Sequence, residues 1–251
     1  MLNRLLLFFG FVKKHYNWEK VIKSCDGYDS TIILEKVKNA TNKVINREYK
    51  YERDGVNFNE TDLPWPLFTF LLKLSKEHDN LKVCDFGGSL GSTFYQLDSF
   101  CELKQLKKWL IIEQLNFVNA GKEITKNKKL EFTSNLDDIN QSFQVLILSS
   151  VLQYLEKPYD LIRDLLKKNF RYVIIDRTPI MNSDLKDEFI IIQEVPNELY
   201  SANYPSWILN KSKLENLFSQ YNYELRNTFS SFDPGNKVYD FKGFYFEKVT
   251  S

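Results

Sequence analysis

A doubly wound α/β fold is predicted by three features of this chain: short continuous apolar runs, helical segments between them, and a glycine-rich turn after the first run. The runs are LKVCDF (81–86), KWLIIEQ (108–114), LEFTS (130–134), QVLILSS (144–150) and YVIIDRT (172–178). They do not alternate apolar and polar residues, so both faces of each strand are expected to be covered, as in a parallel sheet. Helical segments from Ser92, from Phe117 to Ile124 and from Tyr159 to Lys168 fall between runs and give βαβ spacing. Two later runs, NYELRNTF (222–229) and FKGFYFEKV (241–249), flank a loop carrying Asp233-Pro234-Gly235. These are expected to pair antiparallel and close one sheet edge.

Upstream of the first run the pattern is helical. Ile32, Ile33, Val37, Thr41, Val44 and Ile45 recur near helical spacing between residues 29 and 48, with Asp29 or Ser30 available as a cap. A polar, aromatic stretch from Tyr49 to Leu63 follows, then Pro64-Trp65-Pro66, then a buried helix at Leu67 to Leu74. The expected organisation is a helical, substrate-side cap over residues 1–75 and a cofactor-binding core over 76–251. The apolar stretch Leu5 to Val12 is too short to span a membrane and no small-residue cleavage site follows it, so it is expected to pack on the domain.

Composition narrows the function classes. Lys and Arg total 34 against 33 Asp and Glu, and no basic stripe of the kind that binds nucleic acid occurs. Cys25, Cys84 and Cys101 form no C-x-x-C pair, which disfavours a structural zinc and gives no disulfide framework. A cytoplasmic protein is expected, with no metal site, no nucleic-acid partner, no stable membrane insertion, and room for a homodimer.

The chemistry centres on the segment from Val83 to Ser92, where a strand enters a turn containing Gly87, Gly88 and Gly91 and opens a helix. Such a turn aims backbone N–H groups at a ligand and needs glycine where the ligand approaches closely. A dinucleotide fingerprint would place glycine at position 86, where Phe86 stands. The pattern D-x-G-x-G-x-G is met at Asp85, Gly87 and Gly91 and departs at Ser89. An acidic residue opening the loop suits a ligand with a cationic ammonium, so S-adenosylmethionine is the expected cofactor. Ser92 and Thr93 begin the following helix.

Glu113 ends the second strand, where a carboxylate can accept hydrogen bonds from a ribose diol. Gln114 and Phe117 are candidates to flank the ribose or adenine, Asn135 to reach the adenine edge, and Ser149 and Ser150 to line the floor beneath the methionine part. The alternative is that Asp85 caps a helix and Glu113 is a surface charge. There is no N-P-P-Y or D-P-P-Y after the fourth strand, which argues against amino-methylation of DNA. A nicotinamide-dependent sugar enzyme and an inactive binding subunit with the same fold are the competing functions.

Several segments together resemble a family of methyltransferases associated with bacterial surface-polysaccharide and capsule gene clusters. They are YERDGVNF (51–58), LPWPLFTFLL (63–72), CDFGGSLGSTF (84–94), IIEQLNFVNAG (111–121), LSSVLQYLEKPYDLI (148–162), VIIDRTP (173–179) and LYSANYPSWI (199–208). The resemblance implies a class I methyltransferase fold and methyl transfer to a hydroxyl or amine of a sugar, nucleotide-sugar or other small-molecule acceptor.

For the acceptor side, a histidine base is not expected, because His78 sits in a hydrophilic turn and His15 near the N-terminus. Asp176, at the end of the fifth run, is the candidate base or orienting group. Arg177 beside it is a candidate for binding an anionic substrate group; an internal Asp–Arg pair is the alternative. Gln153 and Tyr204 complete the candidate catalytic set. Arg53, Asp54, Pro64 and Trp65 are expected in the cap.

Overall fold

The computed structural model describes residues 13–25, 31–60, 63–182, 187–194, 202–231 and 233–249. Leu5 to Val12, the two cap candidates Asp29 and Ser30, and Tyr200 lie outside them. The main sheet has seven strands, mostly parallel, with the expected C-terminal antiparallel pair. The chain divides into two compact units, one of Asp29–Leu148 and one of Met1–Tyr28 with Ser149–Ser251. The first described element, helix α1 (Trp18–Ile22), belongs to the second of these.

In the Asp29–Leu148 unit, helix α2 (Thr31–Ile45) buries Ile33, Leu34, Val37, Ala40, Thr41 and Val44, the stripe read from its spacing. The segment read as merely polar and aromatic is a hairpin of β1 (Tyr51–Arg53) and β2 (Val56–Phe58). Asp54 and Gly55, both at positive φ (52° and 75°), make its two-residue turn. Helix α3 (Trp65–Glu77) starts at the Pro-Trp-Pro element, with Pro66 in its first turn, where a missing N–H costs nothing.

Strand β3 (Leu81–Phe86), helix α4 (Ser92–Phe100), β4 (Leu106–Ile112), α5 (Leu115–Ile124), β5 (Leu130–Thr133) and β6 (Val145–Ser149) then follow the predicted rhythm. Strand β3 pairs in parallel with β4 and with β6, and β4 pairs in parallel with β5. Trp109, Leu110, Ile111 and Ile112 are all buried, which is why the run shows no alternation. Each such aliphatic side chain contributes about 1.5–3 kcal/mol on burial.

In the other unit, helix α6 (Pro158–Leu166) precedes β7 (Tyr172–Met181). A second hairpin, β8 (Phe189–Glu194) and β9 (Asn203–Ile208), follows. Helix α7 (Lys211–Gln220), capped by the Asn210 side chain, leads to β10 (Tyr223–Ser230) and β11 (Tyr239–Lys248). Strand β11 pairs antiparallel with β10 and with β7. The α7 ring of Phe218 stacks on Phe246 of β11 at 3.9 Å between centroids and fastens the helix to this edge. Met181, Phe189, Ile191, Ile208 and Tyr239 form a further buried cluster that anchors the β8–β9 hairpin.

Candidate functional site

Within the Asp29–Leu148 unit, the sequence-predicted cofactor residues gather where β3 and β4 end. Asp85 is one residue from the end of β3 and is 1% exposed. Its Oδ2 accepts a hydrogen bond from Trp109 Nε1 at 3.1 Å. The indole is held in turn by the edge of Phe94 from α4, with ring centroids 5.7 Å apart. Burial pushes the Asp85 carboxyl up to about 7; the Trp109 bond opposes that rise and the charge of Glu113 adds to it.

Beyond β3 the backbone turns back on itself. Gly87 and Gly91 sit at φ 75° and 100°, where a side chain costs about 1–2 kcal/mol. Ser89, the position at which the motif departs from glycine, still adopts φ 53°. Its N–H donates to Glu113 Oε1 at 3.1 Å, a bond that helps hold the conformation. Gly88 has a different reason to be glycine. A Cβ there would lie 2.6 Å from Asp85 Oδ2 and 2.7 Å from its Cγ.

Glu113 Oε2 accepts from Gln114 N at 3.0 Å, so each oxygen of this carboxylate holds one backbone N–H. Burial raises its carboxyl above the ordinary glutamate range, opposed by those two bonds. A carboxylate has about four lone-pair sites, so two remain for a diol. Gln114 is exposed at the start of α5, whereas Phe117 is 1% exposed and packs into the interior. Asn135 is exposed and its Oδ1 accepts from Asp137 N at 2.9 Å, capping a short turn. Ser92 and Thr93, both half-buried, begin α4.

Two residues of this unit carry no strong sequence signal and emerge only here. Leu115, directly after the Glu113-Gln114 pair, is 63% exposed, unusual for a leucine at the first turn of an otherwise well-packed helix. Glu52 of β1 is 3% exposed and accepts from the Ser92 hydroxyl and, at 3.1 Å, from Gly55 N.

The second unit brings together the acceptor-side candidates. Strand β7 carries a bulge: Ile175 pairs with Phe244 and Thr178 with Lys242, so Asp176 and Arg177 face the single residue Gly243. Arg177 sits there at φ 51°. The bulge buries Asp176 to 2% exposure, and its Oδ1 accepts from Ser231 Oγ at 2.6 Å and from Arg177 N at 2.8 Å. Burial raises the Asp176 carboxyl, the Ser231 and Arg177 bonds opposing it.

The Arg177 guanidinium pairs with Asp233 through Nε at 2.6 Å and Nη2 at 3.1 Å. The Asp-Pro-Gly loop, read from sequence only as a connection, therefore supplies the partner of that arginine. Ser150, at φ 54°, donates its N–H to the Asp176 carbonyl at 3.0 Å. Gln153 is fully buried; its Nε2 donates to Ser150 Oγ and to the Arg177 carbonyl, each at 3.2 Å. Its Oε1 has no partner among the described residues. Ser149 is half-buried at the end of β6. Tyr204 is 9% exposed and packs edge-on against Tyr154, centroids 5.1 Å apart.

The fold is similar to that of solved structures. Magnesium protoporphyrin IX methyltransferase (ChlM) from Synechocystis PCC 6803, solved with bound SAH, is similar at TM-score 0.53 and 12% identity, over 88% of this chain and 100% of that one. The chain has the class I methyltransferase fold. An S-adenosylmethionine-dependent methyltransferase from Clostridium acetobutylicum gives TM-score 0.52 at 10% identity over 86% of this chain and 99% of that one. The [4+2]-cyclase SpnF gives TM-score 0.53 at 10% identity over 96% and 99%. Neither the protein-family models nor the curated proteins compared contain a match. Among the described residues no helix is long and apolar enough to cross a membrane.

Proposed function

We propose that this protein is an S-adenosylmethionine-dependent methyltransferase acting on a hydroxyl or amine of a small-molecule or glycan precursor. The observation that carries the proposal is the pair of carboxyls, buried Asp85 and half-buried Glu113, at the ends of adjacent strands, joined by the glycine turn through the Ser89 N–H. Carboxylates at these two positions suit a ligand that brings a cationic ammonium and a diol, and an acidic side chain opening the turn opposes a pyrophosphate.

Within the Asp29–Leu148 unit, Asp85, Gly87, Gly88, Gly91, Ser92, Thr93, Glu113, Gln114 and Asn135 would hold the cofactor, whereas Phe117, packed into the interior, would support α5 rather than touch it. Residues 1–75 form, on this reading, a substrate-side extension. The cofactor supplies an electrophilic methyl on sulfur, and the transfer is an in-line displacement whose rate depends on positioning. Asp176 is the candidate base. Burial raises its proton affinity above the ordinary aspartate range, the direction a general base requires. Gln153 Oε1, a buried acceptor without a protein partner among the described residues, suits a donor on the acceptor molecule. Arg177 holds Asp233, so an anionic acceptor group would have to share or displace that carboxylate. Tyr204 would line the same side.

A sugar acceptor is favoured by the resemblance to polysaccharide-cluster methyltransferases. The N-terminal domain of EvdMO1, solved in the presence of SAH and D-fucose, has TM-score 0.50 at 12% identity over 88% of this chain and 97% of that one. A second reading, the fold without methyl transfer, is favoured by the likeness to the cyclase SpnF.

Calorimetric titration with S-adenosylhomocysteine and with NAD, on the wild type and on Asp85→Ala and Glu113→Ala, tests the cofactor. Binding of the homocysteine compound alone, lost in both variants, is expected. Binding of NAD, or indifference to both substitutions, would overturn the proposal. Radiolabelled methyl transfer to a panel of sugars, sugar phosphates and nucleotide-sugars then separates the two readings.

A further inference from the structure

The hairpin β1–β2 carries a carboxylate that no feature of the glycine turn requires. Glu52 belongs to a segment about forty residues upstream of the turn, yet its side chain is buried and reaches the first residue of α4. Its two oxygens are used differently. Oε2 accepts from Gly55 N at 3.1 Å, a backbone donor whose direction is fixed by the hairpin turn. Oε1 accepts from the Ser92 hydroxyl, the side chain with which α4 leaves the glycine turn.

A carboxylate accepts hydrogen bonds and donates none, so it decides where the Ser92 proton points. With that proton directed at Glu52, the hydroxyl's lone pairs are what Ser92 offers to anything bound at the turn. We infer that Glu52 is a positioning residue of the cofactor site, fixing Ser92 as a hydrogen-bond acceptor for the cationic ammonium of the cofactor's amino-acid end. The inference rests on the cofactor assignment proposed above. Burial pushes the Glu52 carboxyl up to about 7, opposed by the bonds from Ser92 and Gly55 and modulated by Asp54 and Arg53 beside it. A cation bound beyond Ser92 would favour the ionised form.

The substitution Glu52→Gln inverts this arrangement. The fixed Gly55 N–H selects the amide oxygen, so the amide NH2 turns to Ser92 and donates to it. The serine proton is then pushed outward, donor facing donor at an ammonium. Calorimetry with two probes separates this from loss of structure. S-adenosylhomocysteine carries the amino-acid end, and 5′-methylthioadenosine lacks it. Glu52→Gln is expected to weaken the first by about tenfold and leave the second within about twofold. In a Ser92→Ala background the same substitution is expected to have no further effect, because its route of action is gone. Thermal unfolding of each variant checks that the hairpin remains docked.

Equal affinity of Glu52→Gln and wild type for S-adenosylhomocysteine would overturn the inference while leaving the cofactor assignment intact. Equal weakening for both probes, or weakening that persists in the Ser92→Ala background, would reduce Glu52 to a structural clamp. No binding of either probe by the wild type would instead remove the cofactor assignment on which the inference stands.

Discussion

Trp109 donates its indole N–H to Asp85 at 3.1 Å, linking the middle of β4 to the residue that opens the glycine turn. The bond satisfies a carboxyl oxygen in a buried place and fixes which way the carboxyl faces. Trp109→Phe keeps most of the packing against Phe94 and removes only the donor. An unpaired buried acceptor costs about 1–3 kcal/mol, and a loss of that size is expected in the urea midpoint, together with weaker S-adenosylhomocysteine binding. Asp85→Asn is expected to lose binding with little loss of stability, since its amide oxygen still accepts from Trp109. If both variants bound like the wild type, Asp85 would be a structural residue alone.

Stability should fall as pH rises from about 4 to about 7 in the ligand-free protein. Asp85 and Glu52 ordinarily lose their protons near 3.8 and 4.5, but burial holds both folded-state carboxyls up to about 7. Between those limits the folded chain binds more protons than the unfolded one, so unfolding is favoured as protons are withdrawn. The contribution is complete below the unfolded values and gone above the folded ones. Glu113 and Asp176, also raised by burial, act in the same direction. Urea titrations at successive pH values measure this. Saturating S-adenosylhomocysteine should flatten the decline, because an ammonium ligand stabilises the ionised carboxylates, and binding should release protons in this window.

Gly88→Ala brings a methyl carbon to 2.6 Å from Asp85 Oδ2, closer than any side chain tolerates. Either the turn or the carboxyl must move. A cost of about 1–3 kcal/mol is expected from the overpacking, with cofactor binding lost well beyond that share. Thermal unfolding and calorimetry on the same preparation separate the two. Normal affinity in a stable Gly88→Ala protein would show that the close approach of the Asp85 carboxyl to the turn is not needed for binding.

Ser231 and Arg177 N both donate to Asp176 Oδ1. Ser231→Ala removes one of the bonds that lower the Asp176 carboxyl's proton affinity, so its folded-state value should rise further. If Asp176 acts as the base, the acidic limb of the rate–pH profile moves to higher pH in Ser231→Ala, and Asp176→Asn abolishes turnover while keeping cofactor affinity. An unmoved profile would assign the base elsewhere. The Arg177–Asp233 pair is partly exposed, with side chains 18% and 24% accessible. A double-mutant cycle on it should yield a coupling of about 1 kcal/mol.

The sequence by itself determined the alternation of strands and helices, the position of the glycine turn, and the placing of Asp85 and Glu113 at the ends of strands β3 and β4. Those features are local. Continuous burial leaves an unbroken apolar run, and a left-handed turn selects glycine, so both are written into neighbouring residues. The β1–β2 hairpin was not read from the sequence: Asp54-Gly55 suits its turn, but three-residue strands are too short for period-two alternation to stand out. Only the tertiary structure decided which side chains meet across distance: Trp109 with Asp85, Glu52 with Ser92, Arg177 with Asp233. Each pair is separated by more than twenty positions and is fixed by strand register, by a bulge at Asp176–Arg177, or by the docking of a hairpin. No periodicity encodes such meetings, because they depend on the packing of elements that do not adjoin in the chain. The same packing buried Phe117 and left Leu115 exposed, an outcome that depends on which face of α5 meets the sheet.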